Sequence, residues 1–324
     1  MPARLVDTYP LLAQAAGPLL PLLLDDAIIE IRCTSAGNTF VVRFGAGKAQ
    51  VEAIDPLHLD TFLAVLASHV GAEWRDSSPR LHAADPRLGF RVQAGRPPIS
   101  DGPWMVCRKH PSNVFPLDDF EAKGILTRQT QTTAARVLAW QGSIRATLEA
   151  ALFGGYTILV SGAVGSAKTS LTNALLHALA ETTERIVILE DDPELRSAAA
   201  EVQAVHTSDD PAITMRDLGK DLLRMSPDRI VVGEVRDGAA LDMLKAFQCG
   251  HPGLCTVHAA SARETLVRLE QLVQEVSVDP QRHLIGEAVD VIIHLEQVAR
   301  SWRVTDLLAV DGWDGQQYLI RSLL

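Results

Sequence analysis

Between residues 156 and 310, short unbroken apolar runs alternate with stretches whose apolar residues recur at helical spacing. "YTILVS" (156–161) is continuous, as a strand covered on both faces requires. "KTSLTNALLHALA" (168–180) sets Leu171, Ala174, Leu175, Ala178 and Leu179 on one face of a predicted helix. Further strands are predicted at "RIVILE" (185–190), "RIVVGE" (229–234), "LCTVH" (254–258), "DVIIHL" (290–295) and "VTDLLAV" (304–310). "SARETLVRLEQLVQEV" (261–276) predicts a helix opened by the capping-box pair Ser261 and Glu264. Strands alternating with helices define an α/β unit with a mostly parallel sheet.

Residues 1 to about 125 read instead as a smaller α+β domain. "IIEIRC" (28–33) and "TFVVRF" (39–44) are strand-like and flank the hairpin connection "TSAGN". Leu59, Phe62, Leu63, Leu66 and Val70 give "DPLHLDTFLAVLASHVGAEW" (55–74) helical periodicity. "GFRVQA" (89–94) and "WMVCRK" (104–109) read as strands around a Pro/Gly loop. "HPSNVFPLDDFEAKGILT" (110–127) has the composition of a linker, and a helix is predicted from 130 to about 152. The expected division is thus 1–125, a linker and leading helix over 126–150, and 151–324. No internal repeat or low-complexity tract interrupts it.

The Leu-rich run "LLAQAAGPLLPLLL" (11–24) is too short to span a bilayer, and Pro18 and Pro21 interrupt it. With only Arg4 ahead of it, it reads as a short helix packed on the first domain; peripheral membrane association is the minor alternative. A net charge of −10 opposes a broad electrostatic grip on nucleic acid, so no strong nucleic-acid binding is expected. Cys33, Cys107, Cys249 and Cys255 lack metal-site spacing and fit a reducing, cytoplasmic compartment.

Chemistry concentrates where predicted strands end. "SGAVGSAKTS" (161–170) lies between a strand and a helix and approaches the phosphate-loop pattern G-x-x-x-x-G-K-[ST], with Ala167 in place of the second Gly. Backbone N–H groups over Gly162, Ala163, Val164, Gly165, Ser166, Ala167, Lys168, Thr169 and Ser170 would cradle phosphates. Lys168 would neutralise the β- and γ-phosphates of ATP, and the Thr169 hydroxyl would hold Mg²⁺. The Ala167 methyl sits where backbone and phosphate approach closely; phosphate binding is expected to survive and turnover to be the property at stake. Glu234, at the end of "RIVVGE", is placed to orient or deprotonate attacking water, because Gly233 stands where many such proteins carry a metal-holding Asp. Glu190, Asp191 and Glu194 follow another strand and would serve metal and water. His258 follows "LCTV" and would hydrogen-bond the γ-phosphate; His251 has the weaker case.

In this order the phosphate loop, the acidic box, "LRMSPDRIVVGEVRD" and "GHPGLCTVHA" resemble the secretion ATPases of type II and type IV systems over most of residues 150–320. "VHTSDD" (205–210), "LIGEAVDVIIH" (284–294) and "GWDGQQYLI" (312–320) are similar to the conjugative-transfer subgroup; the pilus-assembly ATPases share the boxes. "FRVQAGRPPIS" (90–100) and "CRKHP" (107–111) match the family's N-terminal half. The resemblance implies a RecA-like P-loop NTPase C-terminal domain preceded by the α+β domain, a homohexameric ring, ATP and Mg²⁺ as cofactors, and inner-membrane secretion-complex proteins as partners. It further implies that Arg91 and Arg108 reach the phosphates from the first domain and that Arg224 and Arg229 form an arginine box, thinned here by Ser226. Lys168, Glu190, Glu234 and His258 are its expected catalytic residues, with Thr169, Asp191 and Glu234 holding Mg²⁺.

Overall fold

A computed structural model describes residues 8–85, 88–109, 117–122, 137–208, 213–298 and 301–324. The chain divides into two compact units, Met1–Ala134 and Ala135–Leu324.

In the first unit the Leu-rich run forms α1 (Pro10–Ala16), a 3-10 turn at Gly17–Leu19, and α2 (Leu20–Leu24). Pro18 and Pro21 sit in the first turns of the second and third segments, where a missing N–H costs nothing. They therefore start helical segments as well as interrupting the run. Leu12, Ala16, Leu19 and Leu23 enter the core, as expected for a helix packed on its own domain.

Strands β1 (Ile28–Cys33), β2 (Thr39–Arg43) and β3 (Gly47–Val51) precede α3 (Pro56–Val70); β4 (Arg80–Asp85), β5 (Phe90–Gly95) and β6 (Trp104–Lys109) follow it. They form one antiparallel sheet in the order β3-β2-β1-β6-β5-β4. Asp55 caps α3 by accepting from the N–H groups of Leu57 and His58, and Gly71 ends it in the left-handed conformation. Leu59, Phe62, Leu63 and Leu66 are fully buried among Ile31, Val41, Val92 and Met105 of the sheet, each contributing about 1.5–3 kcal/mol. The unpredicted β3 and β4 are the sheet's edges and carry few large apolar residues. A short helix α4 (Leu117–Ala122) lies within the predicted linker; residues 110–116 and 123–136 lie outside the described residues.

The second unit opens with α5 (Ile144–Phe153), capped by Ser143. This corrects the predicted 130–152 helix: residues 137–143 are not helical, and Gly142 turns the chain with a φ of 84°. The succession continues β7 (Ile158–Gly162), α6 (Lys168–Ala178), β8 (Arg185–Glu190), β9 (Glu201–His206), α7 (Met215–Gly219), β10 (Arg229–Val232), α8 (Ala239–Gln248), β11 (Gly253–Val257), α9 (Ala262–Gln274), α10 (Arg282–Ala288), β12 (Val291–Val298), β13 (Ser301–Trp313) and β14 (Tyr318–Ser322). The sheet order is β14-β13-β12-β7-β11-β10-β8-β9. Pairings from β12 to β9 are parallel, and those of β13 with β12 and β14 are antiparallel.

Parallel pairing has one consequence for function. The carboxyl ends of β7, β8, β10 and β11 emerge on the same edge, so Gly162, Glu190, Glu234 and His258 share it. At the opposite edge two fully buried arginines tie the strand starts together. Arg229 donates to both carboxylate oxygens of Glu184 (2.6 and 3.0 Å) and to the Leu152 carbonyl (2.9 Å). Arg185 donates to the Met225 carbonyl (2.8 Å) and to Glu201 (3.0 Å).

Candidate active site

The β7–α6 turn supplies the loop. A side chain at Gly162 would collide with the Leu295 carbonyl oxygen and the Ser166 hydroxyl, so only glycine lets β7, the loop and β12 meet there. Ala167 has φ 68° and ψ 25°, the left-handed region, and is the N-cap of α6. Local backbone conformation is thus one reason a glycine suits this position, beside the close phosphate approach expected there. Ala167 offers no side-chain cap to α6. The N–H groups of Lys168, Thr169 and Ser170 open the helix with no carbonyl a turn behind them, a donor array suited to an anion.

Lys168 Nζ donates to the carbonyls of Gly162 (3.0 Å) and Ala163 (2.9 Å) and to His258 Nδ1 (3.1 Å). An ammonium group only donates, so Nδ1 is the acceptor and the ring proton resides on Nε2. Nε2 lies 3.0 Å from Glu234 Oε1, within ion-pair reach of the carboxylate. The 3.3 Å approach of Nδ1 to the Gly162 carbonyl is, on this tautomer, a contact without a proton. Burial lowers the Lys168 pKa, and the Glu234 carboxylate partly offsets it.

Glu234 Oε2 accepts from Arg236 Nη2 (3.3 Å), and Arg236 Nε lies 3.2 Å from Glu234 Oε1 as an ion pair. Arg236 in turn lies 3.9 Å from Asp191, and the Glu234 bond raises its pKa. A continuous chain thus runs Lys168, His258, Glu234, Arg236, Asp191. Glu190 is buried, and its Oε2 accepts from the N–H groups of Glu194 and Leu195 (both 3.0 Å), fixing the acidic turn. A Cβ at Gly233 would stand 2.8 Å from Glu190 Cβ, so the space an Asp would occupy at 233 is taken by Glu190.

A cavity of about 440 Å³ collects these groups. Of the predicted residues, Val164 through Ser170, Glu190, Asp191, Glu194, Glu234 and His258 line it. Gly162 and Ala163 contribute their carbonyls to Lys168 from behind. His251, Arg224 and Arg229 do not line it. Arg224 is an exposed partner of Asp221. Arg229 is fully buried at the far end of its strand, so a phosphate-contacting role does not fit its position; it holds the fold. In the first unit, Arg91 and Arg108 stand directly opposite each other on β5 and β6. Arg108 lies 3.9 Å from Glu30 on the neighbouring strand.

Sequence reasoning gave no role to Arg236, although it stands two places after Glu234 in a quoted motif. Trp302, also at the cavity, carried no local signal at all. The site suits Mg²⁺: the Thr169 hydroxyl and five carboxylates, of Glu190, Asp191, Asp192, Glu194 and Glu234, are hard oxygen donors lining one cavity, the set this ion takes alongside phosphate oxygens.

Fold and loop together define a RecA-like P-loop NTPase domain following a smaller α+β domain. The sequence matches the family described as "Type II/IV secretion system protein" over residues 76–303, and the chain belongs to that family. It is 35% identical to the "Conjugal transfer protein TrbB" of Rhizobium radiobacter, over 95% of this chain and 91% of that protein. It is 29% identical to the "Type IV secretion system protein VirB11" of Bartonella quintana (strain Toulouse), over 75% of this chain and 77% of the relative. The crystal structure of the Brucella suis VirB11 ATPase in complex with sulphate superposes with a TM-score of 0.81 at 25% identity, covering 91% of this chain and 93% of that one.

Proposed function

We propose that this chain is an ATP-hydrolysing motor of a type IV secretion or conjugative-transfer system. The observation that carries the reading is the chain of contacts at the mouth of the phosphate loop, in which Lys168 hydrogen-bonds His258 and His258 lies 3.0 Å from the Glu234 carboxylate. The relatives, named for conjugal transfer and type IV secretion, supply the biological setting.

Loop N–H groups and Lys168 bind the phosphates and stabilise the charge that builds on the transferred phosphoryl oxygens. Thr169, with Asp191 and Glu234 partly through water, would hold Mg²⁺, which supplies further charge neutralisation when bound. Glu234 orients water and accepts its proton; His258 holds that carboxylate in place and reports on the terminal phosphate. Arg236 competes with water for Glu234, so its displacement frees the carboxylate to act. Arg91 and Arg108, in register on adjacent strands of the first unit, would bring positive charge to the phosphates. Loss of the γ-phosphate removes partners from these groups, and domain closure relaxes with it. The working assembly is a homohexamer at the cytoplasmic side of the inner membrane, acting on the proteins of a membrane-embedded complex. Pilus assembly is the alternative setting.

The left-handed Ala167 favours one second reading, a nucleotide-binding scaffold of slow turnover. Steady-state phosphate release separates the two. Lys168→Ala should abolish ATP hydrolysis; Glu234→Gln should bind nucleotide like wild type and lose turnover by about a hundredfold or more. A fully active Glu234→Gln protein would remove Glu234 from this role.

A further inference from the structure

An exposed tryptophan overhangs the loop. Strand β12 stays in register with β7 up to the pair Leu295 and Gly162, then runs on to Val298. At about 3.3 Å per residue this lifts the β12–β13 hairpin some 10 Å past the end of β7. Trp302 returns on β13 opposite Gln297, on that raised part. Its indole N–H donates to the Gly165 carbonyl at 2.9 Å, yet the side chain is 61% exposed. The ring is thus fixed at its polar edge while a π face stays open beside the cavity.

The sheet order gives that face a direction. Glu234 and His258 follow β10 and β11 on one side of β7, and the β12–β13 hairpin stands on the other. The terminal phosphate belongs beside Glu234 and His258, so the nucleoside end of a bound nucleotide leaves the loop toward the hairpin. We propose that Trp302 is the base-side wall of the nucleotide site, stacking on the purine while its N–H bond to Gly165 locks the ring plane to the phosphate loop. This rests on the nucleotide reading above and adds a residue that recognises the base. Stacking uses a π face that every base offers, so it contributes affinity and orientation.

Calorimetric titration of the full chain with Mg-ADP and with inorganic tripolyphosphate tests it, in wild type, Trp302→Ala and Trp302→Phe. Trp302→Ala should weaken ADP by about tenfold or more, the worth of stacking one base, and leave tripolyphosphate within about twofold. Trp302→Phe keeps a ring without the N–H and should recover most of the ADP affinity. Unchanged ADP binding in Trp302→Ala, equal losses for both ligands, or a Phe variant as weak as Ala would each overturn the proposal, the last two leaving only a loop tether. A wild-type chain that binds neither ligand fails the phosphate-loop reading itself, and the proposal with it. Wild-type binding of both ligands with an indifferent Trp302→Ala fails the stacking alone.

Discussion

Ala167 shows how much one torsion angle can hide. A non-glycine residue in the left-handed region costs about 1–2 kcal/mol, because its Cβ crowds the following carbonyl. Its φ of 68° is held by the loop on one side and α6 on the other. Ala167→Gly should therefore raise the unfolding midpoint by about 2–4 °C and give an equal or faster rate of phosphate release. A slower enzyme would mean that the loop depends on the methyl group. Gly233 makes the complementary point. Its missing side chain reads as an absent metal ligand, but the space belongs to Glu190, whose carboxylate ties down the acidic turn. Ala167 and Gly233 are both visible as letters; their reasons are a torsion angle and a neighbour from another strand.

Among the elements, the two ends of the parallel sheet do different work, and arginines distinguish them. Arg229 is buried against Glu184 at the amino end of β10, whereas Arg108 is half-exposed on β6. Arg229→Ala should cost about 3–5 kcal/mol of stability, since it strands a carboxylate and empties a buried site. Arg108→Ala should leave thermal unfolding nearly unchanged and lower turnover. Thermal unfolding followed by circular dichroism, beside a phosphate-release assay, checks both; an Arg108→Ala chain that unfolds would make Arg108 a structural partner of Glu30. Elements were legible where pattern and burial agree. The strands "IIEIRC", "WMVCRK" and "RIVILE" span the predicted residues. β9 was missed because "EVQAVH" sets Glu201 and Gln203 on its buried side, where Arg185 pairs with Glu201. α7 is too short to show periodicity, though Thr214 and Asp217 cap it reciprocally.

For the whole molecule, the net charge of −10 and the ring implied by resemblance make assembly the property to measure. Light scattering of the purified chain, with and without Mg-nucleotide, should give a hexamer's mass in at least the nucleotide-bound state. A monomer that turns over ATP steadily would keep the ATPase reading and remove the ring. No described helix is long and apolar enough to cross a membrane. The exposed face of α1 carries Leu11, while its other leucine, Leu12, is committed to the core.

The linear sequence determined the local logic: strand, glycine turn and lysine-led helix at 156–180, and carboxylates or histidine where apolar runs stop. Chain-local rules suffice there, because period, capping and turn chemistry act over a few residues. Only the tertiary structure decided which of those ends meet. It joined Lys168 to His258 and Glu234, sent Arg229 to the opposite edge, set Arg91 against Arg108, and brought Trp302 over Gly165. These are contacts between residues tens to more than a hundred positions apart. Strand order and register create them, and no local pattern encodes either.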